Sequence, residues 1–417
     1  MIFRILVKKI IKLFIYLLSF FPIFFLFILY PIFKIRLSLQ SSERLGEIAG
    51  QMEIYLSERK LFKKSSYIDI FILNDVISNK TFIQLLKRKV FIFPTIIFHP
   101  IYKVLNFFAK HIFFFNKFIL ITKRYDSNFS IERTNANIVP DNKFIKRGEH
   151  FLKMLGIPLD AKIICLIVRD SEYLKQKFPH KNFNYHSYRN SNIETYKLAI
   201  DEATKRGFYV FRMGEVIERK LNFDNKKFFD YSSSYRSDFL DIYLAFKCAF
   251  VITTSTGWDQ VPAFTFRKPV VWTNFVPVGD LYTYSSKFLF SFKLHYDKIN
   301  KKFLNLKEIS RVGYASTSDF YQNENIELID NEPEDIKNLT LEMIDILDKK
   351  ITYSNEDNQL QNEFWNKYVE YFTLANCKSN YQISIDPLRC SKKRLLNNKI
   401  ISRIGKNFLN KNKFLLY

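Results

Sequence analysis

Residues 253–259, with the sequence TTSTGWD, place hydroxyl side chains and a glycine between two apolar runs. Thr254, Ser255 and Thr256 supply hydroxyl donors, and Gly257 lets a ligand approach the backbone closely. The run before them predicts a buried strand, and the residues from Gly257 onward predict a helix. Free N–H groups and the positive dipole end at the start of a helix favour phosphate. The stretch therefore predicts a phosphate-binding turn, with an ordinary capped strand-to-helix turn as the alternative.

Three more side chains near this turn are candidates for ligand contacts. Asp259 falls in the first turn of the predicted helix, where a carboxylate favours the helix dipole or bonds a sugar hydroxyl. Trp258 is either a ligand contact or a core or hinge aromatic residue. Asn274 ends the next strand, PVVWTN. Because ligands bind beyond the carboxyl ends of parallel strands, we expect Asn274 to lie at the same edge as the hydroxyl cluster.

Two arginines at predicted strand ends are the charged candidates for the site. Arg169 ends the run AKIICLIVR, and Arg212 ends FYVFR, two residues before Gly214. A guanidinium binds a diphosphate through two parallel hydrogen bonds. Tyr235 and Arg236 precede a predicted helix and are placed to stack on or pair with a nucleotide. The sequence thus predicts an anion site lined by these residues, with a surface ion pair as the alternative for each strand-end arginine.

The N-terminal half predicts a strand–helix–strand unit after its first apolar segment. FKIRLSLQ reads as a strand, EIAGQMEIYLSERK as a helix and YIDIFIL as the next strand, an order that implies a parallel sheet. The loop before the helix contains Arg44 and Gly46, which we expect to shape the loop around a donor phosphate. The same alternation recurs from about residue 150 onward. The predicted fold class is α/β, with two Rossmann-like, doubly wound parallel-sheet domains.

The predicted domain boundaries follow these patterns. A chain of 417 residues is long for one domain. We expect a membrane anchor or interfacial helix, an N-terminal Rossmann-like domain, a C-terminal Rossmann-like domain, and a C-terminal helix with a basic tail; their ranges are 1–32, 33–147, 148–345 and 346–417.

The N-terminal apolar segment predicts a membrane helix. Residues 13–33 contain no charged side chain, and 21 positions match the thickness of a hydrocarbon core. Lys and Arg flank both ends, and Pro22 and Pro31 interrupt the run, so the sequence fits either a spanning or an interfacial helix. A second apolar belt, residues 90–122, fits either a core or a surface that rests on a bilayer.

Composition limits the class of partner. The formal net charge is +23, which suits an anionic membrane surface or a phosphorylated substrate. The sequence lacks the motifs of the common nucleic-acid-binding folds, so we expect no nucleic-acid partner. The four cysteines and six histidines show no metal-ligand spacing, so we expect no metal site.

Several blocks of the chain resemble a family of bacterial surface-polysaccharide (O-antigen and capsule) glycosyltransferases. The blocks cover most of the chain beyond the first apolar segment and keep a regular order. They are ERLGEIAGQMEIYL, CLIVRDSEYL, YRNSNIETY, GFYVFRMG, YRSDFLDIYL, TSTGWDQVPAFTFRKPVVWTN and SRIGKNFL. The resemblance implies the GT-B arrangement, in which two Rossmann-like domains face a cleft and the second domain binds the donor nucleotide.

The resemblance implies transfer of a sugar from a nucleotide-diphosphate donor to a saccharide or lipid-linked saccharide, without a metal or other cofactor. An inverting transfer needs a base for the acceptor hydroxyl. Glu47, in the first loop, is the first candidate and Asp170 the second; the family often carries His or another residue at the position of Glu47. A cytoplasmic donor implies the cytoplasmic face of the inner membrane. A GT-B-fold sugar-nucleotide epimerase and a non-catalytic membrane-associated binding or assembly protein are the alternatives.

Overall fold

The computed structural model describes residues 14–62, 66–177, 179–180, 182–312, 317–374 and 400–417. The basic residues before position 13 and most of the basic tail, residues 375–399, lie outside this part of the chain.

The N-terminal unit is built on a small parallel sheet, as the sequence predicts. Strands β1 (Lys34–Gln40), β2 (Tyr67–Leu73) and β3 (Phe91–Phe93) pair in the order β1-β2-β3. Around them lie the helices α1, α2, α3 and α4, with the bounds Phe20–Leu29, Leu45–Leu61, Lys80–Leu86 and Thr95–His111. The apolar run of β2 is buried over its last five residues, so the strand–helix–strand prediction is confirmed.

The C-terminal unit is built on a larger sheet that is parallel throughout. Its strands are β4 (Ile163–Ile167), β5 (Tyr209–Arg212), β6 (Phe228–Phe229), β7 (Phe250–Thr253), β8 (Val270–Phe275), β9 (Phe288–Phe292) and, close to the chain end, β13 (Arg403–Ile404). The described residues pair in the order β13-β9-β8-β7-β4-β5-β6. Strands β10 (Leu294–Asp297), β11 (Lys302–Phe303) and β12 (Ile326–Ile329) form a separate antiparallel sheet.

Helices cover both faces of the large sheet. The helices of this unit are α5 (Asn142–Met154), α6 (Glu172–Lys177), α7 (Lys197–Lys205), α8 (Tyr231–Ser234), α9 (Asp238–Lys247), α10 (Leu306–Val312), α11 (Ser318–Asn323), α12 (Pro333–Leu347), α13 (Asn355–Leu374) and α14 (Lys406–Lys411). In β4, Ile163 and Cys165 join the core on one face, and Ile164 and Leu166 the core on the other. This two-sided burial confirms a doubly wound sheet.

The two units meet along helix α2. The face of α2 that carries Gly46, Gly50 and Glu53 packs on the segment after β7. That segment differs from the prediction, because no helix begins near Gly257. It turns through residues 257–260 and then forms one turn of π-helix, Val261–Thr265.

The N-terminal apolar run also differs from the prediction. Residues 14–18 are helical, a turn follows at Ser19, and α1 ends before Tyr30. Among the residues that the structure describes, none lies in a helix both long enough and apolar enough to span a bilayer. The run is shortened at its end because Pro31 cannot donate to the helix and β1 begins at Lys34.

Candidate functional site

The candidate site lies where the carboxyl edge of the large sheet meets the first loop of the N-terminal unit. Strands β7, β4 and β5 are neighbours, so the loops that follow them lie side by side. Opposite them, Gly46 is so close to Gly257 that a Cβ atom on Gly46 would lie 2.6 Å from the Gly257 carbonyl oxygen. The loops predicted from the two halves of the sequence therefore come together at one cleft.

Asp259 organises the loop after β7. Its carboxylate accepts hydrogen bonds from Thr253 Oγ1 (2.7 Å), from Gln260 Nε2 (2.9 Å) and from the Thr256 backbone N–H. The side chain is fully buried, and burial raises its pKa to about 6 against the effect of these hydrogen bonds. Asp259 therefore fixes the loop, where the sequence suggested a contact with a sugar hydroxyl.

The hydroxyl residues of this loop are mostly buried. Thr254 accepts a hydrogen bond from the Arg169 backbone N–H at 2.9 Å, which ties the ends of β7 and β4 together. Ser255 is held at a φ of +63°, and its carbonyl oxygen accepts from Arg189 Nη2. Gly257 is exposed and Thr256 half-buried, so this part of the loop faces the cleft.

Arg169 and Arg189 place two guanidinium groups close to each other near the loop after β7, and Arg189 contacts Ser255. In each, the Nε atom is buried and has no hydrogen-bond partner. Neither guanidinium has a carboxylate within ion-pair distance in the described part of the chain. Burial, together with the neighbouring Arg189, lowers the pKa of Arg169 to about 10. Two adjacent guanidinium groups without a carboxylate in direct contact can bind an anion, although the nearby carboxylates of Asp170 and Asp259 act to raise the pKa of Arg169.

His186 adds a third basic group to the same place. It lies with Arg189 on the short 3₁₀ turn Asn184–Arg189, and its Nδ1 atom is buried without a partner. Burial first, and then the positive charges of Arg169, Arg189 and Arg44, lower its pKa to about 4. The ring is therefore neutral at pH 7, and a bound anion would oppose the charges that hold it neutral.

Sequence reasoning missed His186 and Arg189. Arg189 lies inside the block YRNSNIETY, but neither residue follows a predicted strand, which was the criterion for the site. Their position depends on tertiary contacts, since Ser318 Oγ accepts the Tyr188 backbone N–H at 3.0 Å and lies 2.8 Å from Ser187 Oγ. The only available signal was the presence of basic residues within a block of family resemblance.

The first loop of the N-terminal unit brings one more arginine to the cleft. Arg44 is largely exposed, and its Nη1 lies 3.0 Å from Glu47 Oε1. The other Glu47 oxygen lies 3.7 Å from Arg124 Nη2. Glu47 is thus near the cleft, as expected, and both of its oxygens are ion-paired.

Asp170, the second candidate base, is occupied by backbone groups. Its two oxygens accept the N–H groups of Glu172 and Glu218, each at 3.0 Å. These bonds tie the loop after β4 to the loop after β5. A carboxylate that closes two turns has a structural role, where the sequence suggested proton transfer.

Arg212 is also committed to the fold. It is 3% exposed, and its Nη1 donates to the Arg219 carbonyl oxygen at 2.8 Å and to Asp230 Oδ2 at 3.1 Å. The guanidinium therefore pairs inside the protein, where the sequence suggested a phosphate clamp. Gly214, two residues on, adopts a φ of +151°, which lets the chain turn away from the strand end.

Tyr235 and Arg236 lie near the same edge with different partners from those predicted. Arg236 is surrounded by three carboxylates, Asp238 and Asp241 at 3.1 Å and Glu215 at 3.6 Å. Its positive charge is therefore already balanced. Tyr235 is partly exposed and packs edge-on against Phe151.

Trp258 and Asn274 hold the edge of the sheet together. Trp258 Nε1 donates to the Asp241 carbonyl oxygen at 3.1 Å, which supports the hinge or core reading of this residue. Asn274, fully buried at a φ of +50°, exchanges hydrogen bonds with Asn331, whose N–H donates to Asn274 Oδ1 at 2.6 Å. Neither residue presents a free polar group to the cleft.

The described residues contain no cluster of three or more His, Cys, Asp or Glu side chains suited to a metal ion.

The known proteins that resemble the chain include three solved structures of low similarity. No protein-family model and no curated protein sequence matches the chain. The ADP-heptose lipopolysaccharide heptosyltransferase II of Escherichia coli shares 10% identity at a TM-score of 0.32, over 57% of this chain and 84% of that chain. A family 9 glycosyltransferase of Veillonella parvula shares 12% at 0.35, over 58% and 80%.

The third structure is the iron-containing dodecameric glycosyltransferase TibC of enterotoxigenic E. coli, with 12% identity and a TM-score of 0.34, over 77% of this chain and 78% of that chain. All three are glycosyltransferases. At these TM-scores we base no functional argument on the likeness.

Proposed function

We propose that the protein is a glycosyltransferase that moves a sugar from a nucleotide-diphosphate donor to a saccharide or lipid-linked saccharide acceptor. One observation carries the proposal: the guanidinium groups of Arg169 and Arg189 are neighbours, have no carboxylate within ion-pair distance among the described residues, and lie near the loop after β7, where the two parallel-sheet units meet. The sequence blocks that resemble surface-polysaccharide glycosyltransferases include this loop.

The chemistry of transfer needs positive charge where the donor leaves. The acceptor hydroxyl oxygen attacks the anomeric carbon, and the bond from that carbon to the diphosphate oxygen breaks. The nucleoside diphosphate departs with the bonding electron pair, while a base takes the hydroxyl proton. Fixed cations in a partly buried site stabilise the charge that develops on the leaving diphosphate. Arg169 and Arg189 supply those cations, so we propose a transfer that needs no bound metal.

Glu47 remains the proposed base: it lies in the first turn of α2, and we propose that the acceptor binds on this side. Its pairs with Arg44 and Arg124 fix its direction. We expect Glu47→Gln to lower kcat by about 100-fold or more, because general-base catalysis contributes that much, while donor affinity stays unchanged. An unchanged kcat would remove Glu47 from the reaction.

The pathway and location belong to the same proposal. The family resemblance supports surface-polysaccharide synthesis, of O-antigen or capsule, at the cytoplasmic face of the bacterial inner membrane. The net charge of +23 suits an anionic membrane surface and a phosphorylated donor.

The test is a thermal-shift screen of the purified protein against UDP, GDP, CMP and ADP and their sugar conjugates. We expect the nucleotides of one nucleobase to raise the melting temperature of the protein. We expect release of free nucleotide from the sugar conjugate only after acceptor is added. Stabilisation without acceptor-dependent release would indicate an epimerase, and no stabilisation by any nucleotide would contradict the proposal.

A further inference from the structure

The N-terminal unit carries a continuous exposed apolar surface, which we name the Phe-rich face and define as the exposed side chains of residues 14–33 and 91–121. Phe21 is 69% exposed, Ile96 is 85% exposed and Phe113 is 88% exposed. Large apolar side chains at this density are unusual on a soluble surface and mark a site of interaction.

Ring contacts join the parts of the Phe-rich face into one surface. Phe20 of α1 packs edge-on against Phe108 of α4, with ring centroids 6.0 Å apart. Phe27 of α1 stacks on Phe114 at 5.4 Å. The surface reaches the cleft side of the small sheet, because Thr95, at the start of α4, donates its hydroxyl proton to the Leu73 carbonyl oxygen at the end of β2.

The charges of the Phe-rich face have one sign. Residues 14–33 and 91–121 contain no Asp or Glu. Lys103, Lys110 and His111 are exposed on α4, and Lys34 follows α1. Lys117 lies over the ring of Phe114 at 3.5 Å and over that of Tyr30 at 4.1 Å, an arrangement that keeps its charge at the edge of the apolar patch.

We propose that the Phe-rich face inserts into the interfacial region of a bilayer that contains anionic lipids, so that the protein lies on the membrane through α1 and α4. Apolar side chains enter the boundary between headgroups and acyl chains, and the lysines pair with anionic headgroups. A second copy of this chain that packed through the same face would bury these lysines without carboxylates, because the face contains no Asp or Glu. A protein partner would have to supply carboxylates to the same lysines. This inference does not depend on the proposed transferase activity.

The test is flotation of the full-length protein with vesicles of phosphatidylcholine alone or mixed with phosphatidylglycerol. We expect binding to the mixed vesicles, with only a residual amount on phosphatidylcholine. Phe21→Asp and Phe113→Asp should each weaken binding about tenfold or more, because each removes one inserted aromatic side chain and adds a charge. Both residues are exposed, so the thermal midpoint should stay unchanged.

Two further variants separate the contributions. Lys103→Gln and Lys110→Gln should each weaken binding to the mixed vesicles about fivefold and leave binding to phosphatidylcholine unchanged. Ile299→Asp is the matched control, since Ile299 is also 69% exposed but lies on the turn between β10 and β11. Binding of Phe113→Asp at the wild-type level, or equal loss in the control, would overturn the proposal. Wild-type protein that does not bind the mixed vesicles would also overturn it, and a change of oligomeric state in Phe113→Asp would then indicate that the face joins two copies of this chain.

Discussion

At the scale of single residues, the site is defined by which arginines have partners and which do not. Arg189 and Arg169 have no carboxylate within ion-pair distance among the described residues, whereas Arg212 pairs with Asp230 and Arg236 with three acidic residues. Unpaired, half-buried guanidinium groups favour an anionic ligand, and paired ones favour the fold. Strand-end position, the sequence criterion, does not distinguish these two cases.

Arg189→Ala and Arg212→Ala should therefore affect different properties, ligand binding in the first variant and stability in the second. Arg189→Ala should weaken binding of a nucleoside diphosphate about tenfold or more, through loss of a charged hydrogen bond, and lower the melting temperature only slightly, because the Ser255 carbonyl oxygen loses one donor. Arg212→Ala should lower the free energy of unfolding by about 3 kcal/mol, because Asp230 loses its buried partner, while the folded protein binds normally. Calorimetry measures the binding and urea unfolding measures the stability. If folded Arg212→Ala binds the nucleoside diphosphate more weakly while Arg189→Ala binds it normally, the assignment of Arg189 to the ligand and Arg212 to the fold is contradicted.

His186 should report on the occupancy of the site. Its pKa of about 4 lies below the ordinary value because of burial and three arginines, so a bound diphosphate should raise it. By linkage, affinity for a sugar nucleotide should increase as the pH falls from 7 toward that pKa, and His186→Gln should remove the increase. An NMR titration of the histidines measures the shift.

His295 is the internal control for that titration. Its pKa is also about 4, chiefly because it is fully buried, and it contacts the Lys293 carbonyl oxygen away from the arginines. Its titration should be the same with and without ligand. Identical curves for His186 in both conditions would place the anion elsewhere.

At the scale of elements, the contact between α2 and the loop after β7 holds the cleft together. Gly46 faces Gly257, where a Cβ atom on Gly46 would lie 2.8 Å from the Gly257 Cα atom. Further along α2, Gly50 lies against Gln260 and Phe264. Small residues let the two backbones approach closely, so the first loop of one unit lies directly over the proposed phosphate site.

Gly46→Ala should push the start of α2 away from the loop after β7. The added methyl group meets backbone atoms that cannot move aside, so we expect a lower melting temperature and weaker donor binding. Gly257→Ala is the matched control from the other side of the contact, since its Cβ atom would lie 3.6 Å from the Gly46 nitrogen, an ordinary distance. A Gly257→Ala protein less stable than Gly46→Ala would contradict this account of the contact.

The sequence predicted the regular elements well where local patterns determine them. The unit β1–α2–β2 and the buried strands β4, β5, β7 and β8 follow from apolar runs that end in polar residues. The prediction of a helix from Gly257 was wrong. Asp259 bonds back to Thr253 and Thr256, and Pro262 lacks an N–H. The chain therefore forms a turn first and then the one turn of π-helix at Val261–Thr265. The antiparallel strands β10 to β12 were not predicted.

The sequence could not distinguish ligand-binding from structural polar groups at the strand ends. Asp170 follows β4 and Asn274 is the next-to-last residue of β8, positions typical of site residues, but their partners Glu218 and Asn331 come from distant parts of the chain. Conversely, His186 reaches the cleft on a short turn whose position depends on packing against α11. Such long-range contacts leave no local pattern in the sequence.

At the scale of the whole molecule, a buried ion pair joins the two units. Glu53 of α2 accepts from Arg267 Nη2 at 2.9 Å and from the Asn137 backbone and side chain, each at 2.9 Å. Glu53 is fully buried and its second oxygen has no partner, and burial raises its pKa although Arg267 opposes this effect. The pair fixes the relative position of the units next to the cleft.

Arg267→Ala should destabilise the protein in a pH-dependent way. Removal of the guanidinium leaves Glu53 as an unpaired buried carboxylate, which we expect to lower the free energy of unfolding by about 3 kcal/mol at neutral pH. Because the folded-state pKa of Glu53 is then raised further above its unfolded value, the variant is stabilised by protonation and loses stability as the pH rises. Urea unfolding should therefore show a larger difference from wild type at about pH 8 than at about pH 5, and a difference independent of pH would contradict a charged Glu53.

The central claim is that the cleft binds the diphosphate of a sugar nucleotide through Arg169 and Arg189. The most direct measurement is a crystal structure of the protein with the nucleoside diphosphate that stabilises it most. The account predicts phosphate oxygens about 3 Å from both guanidinium groups, beside Ser255 and below Gly46. Density for the nucleotide elsewhere, with both guanidinium groups facing only water, would contradict it.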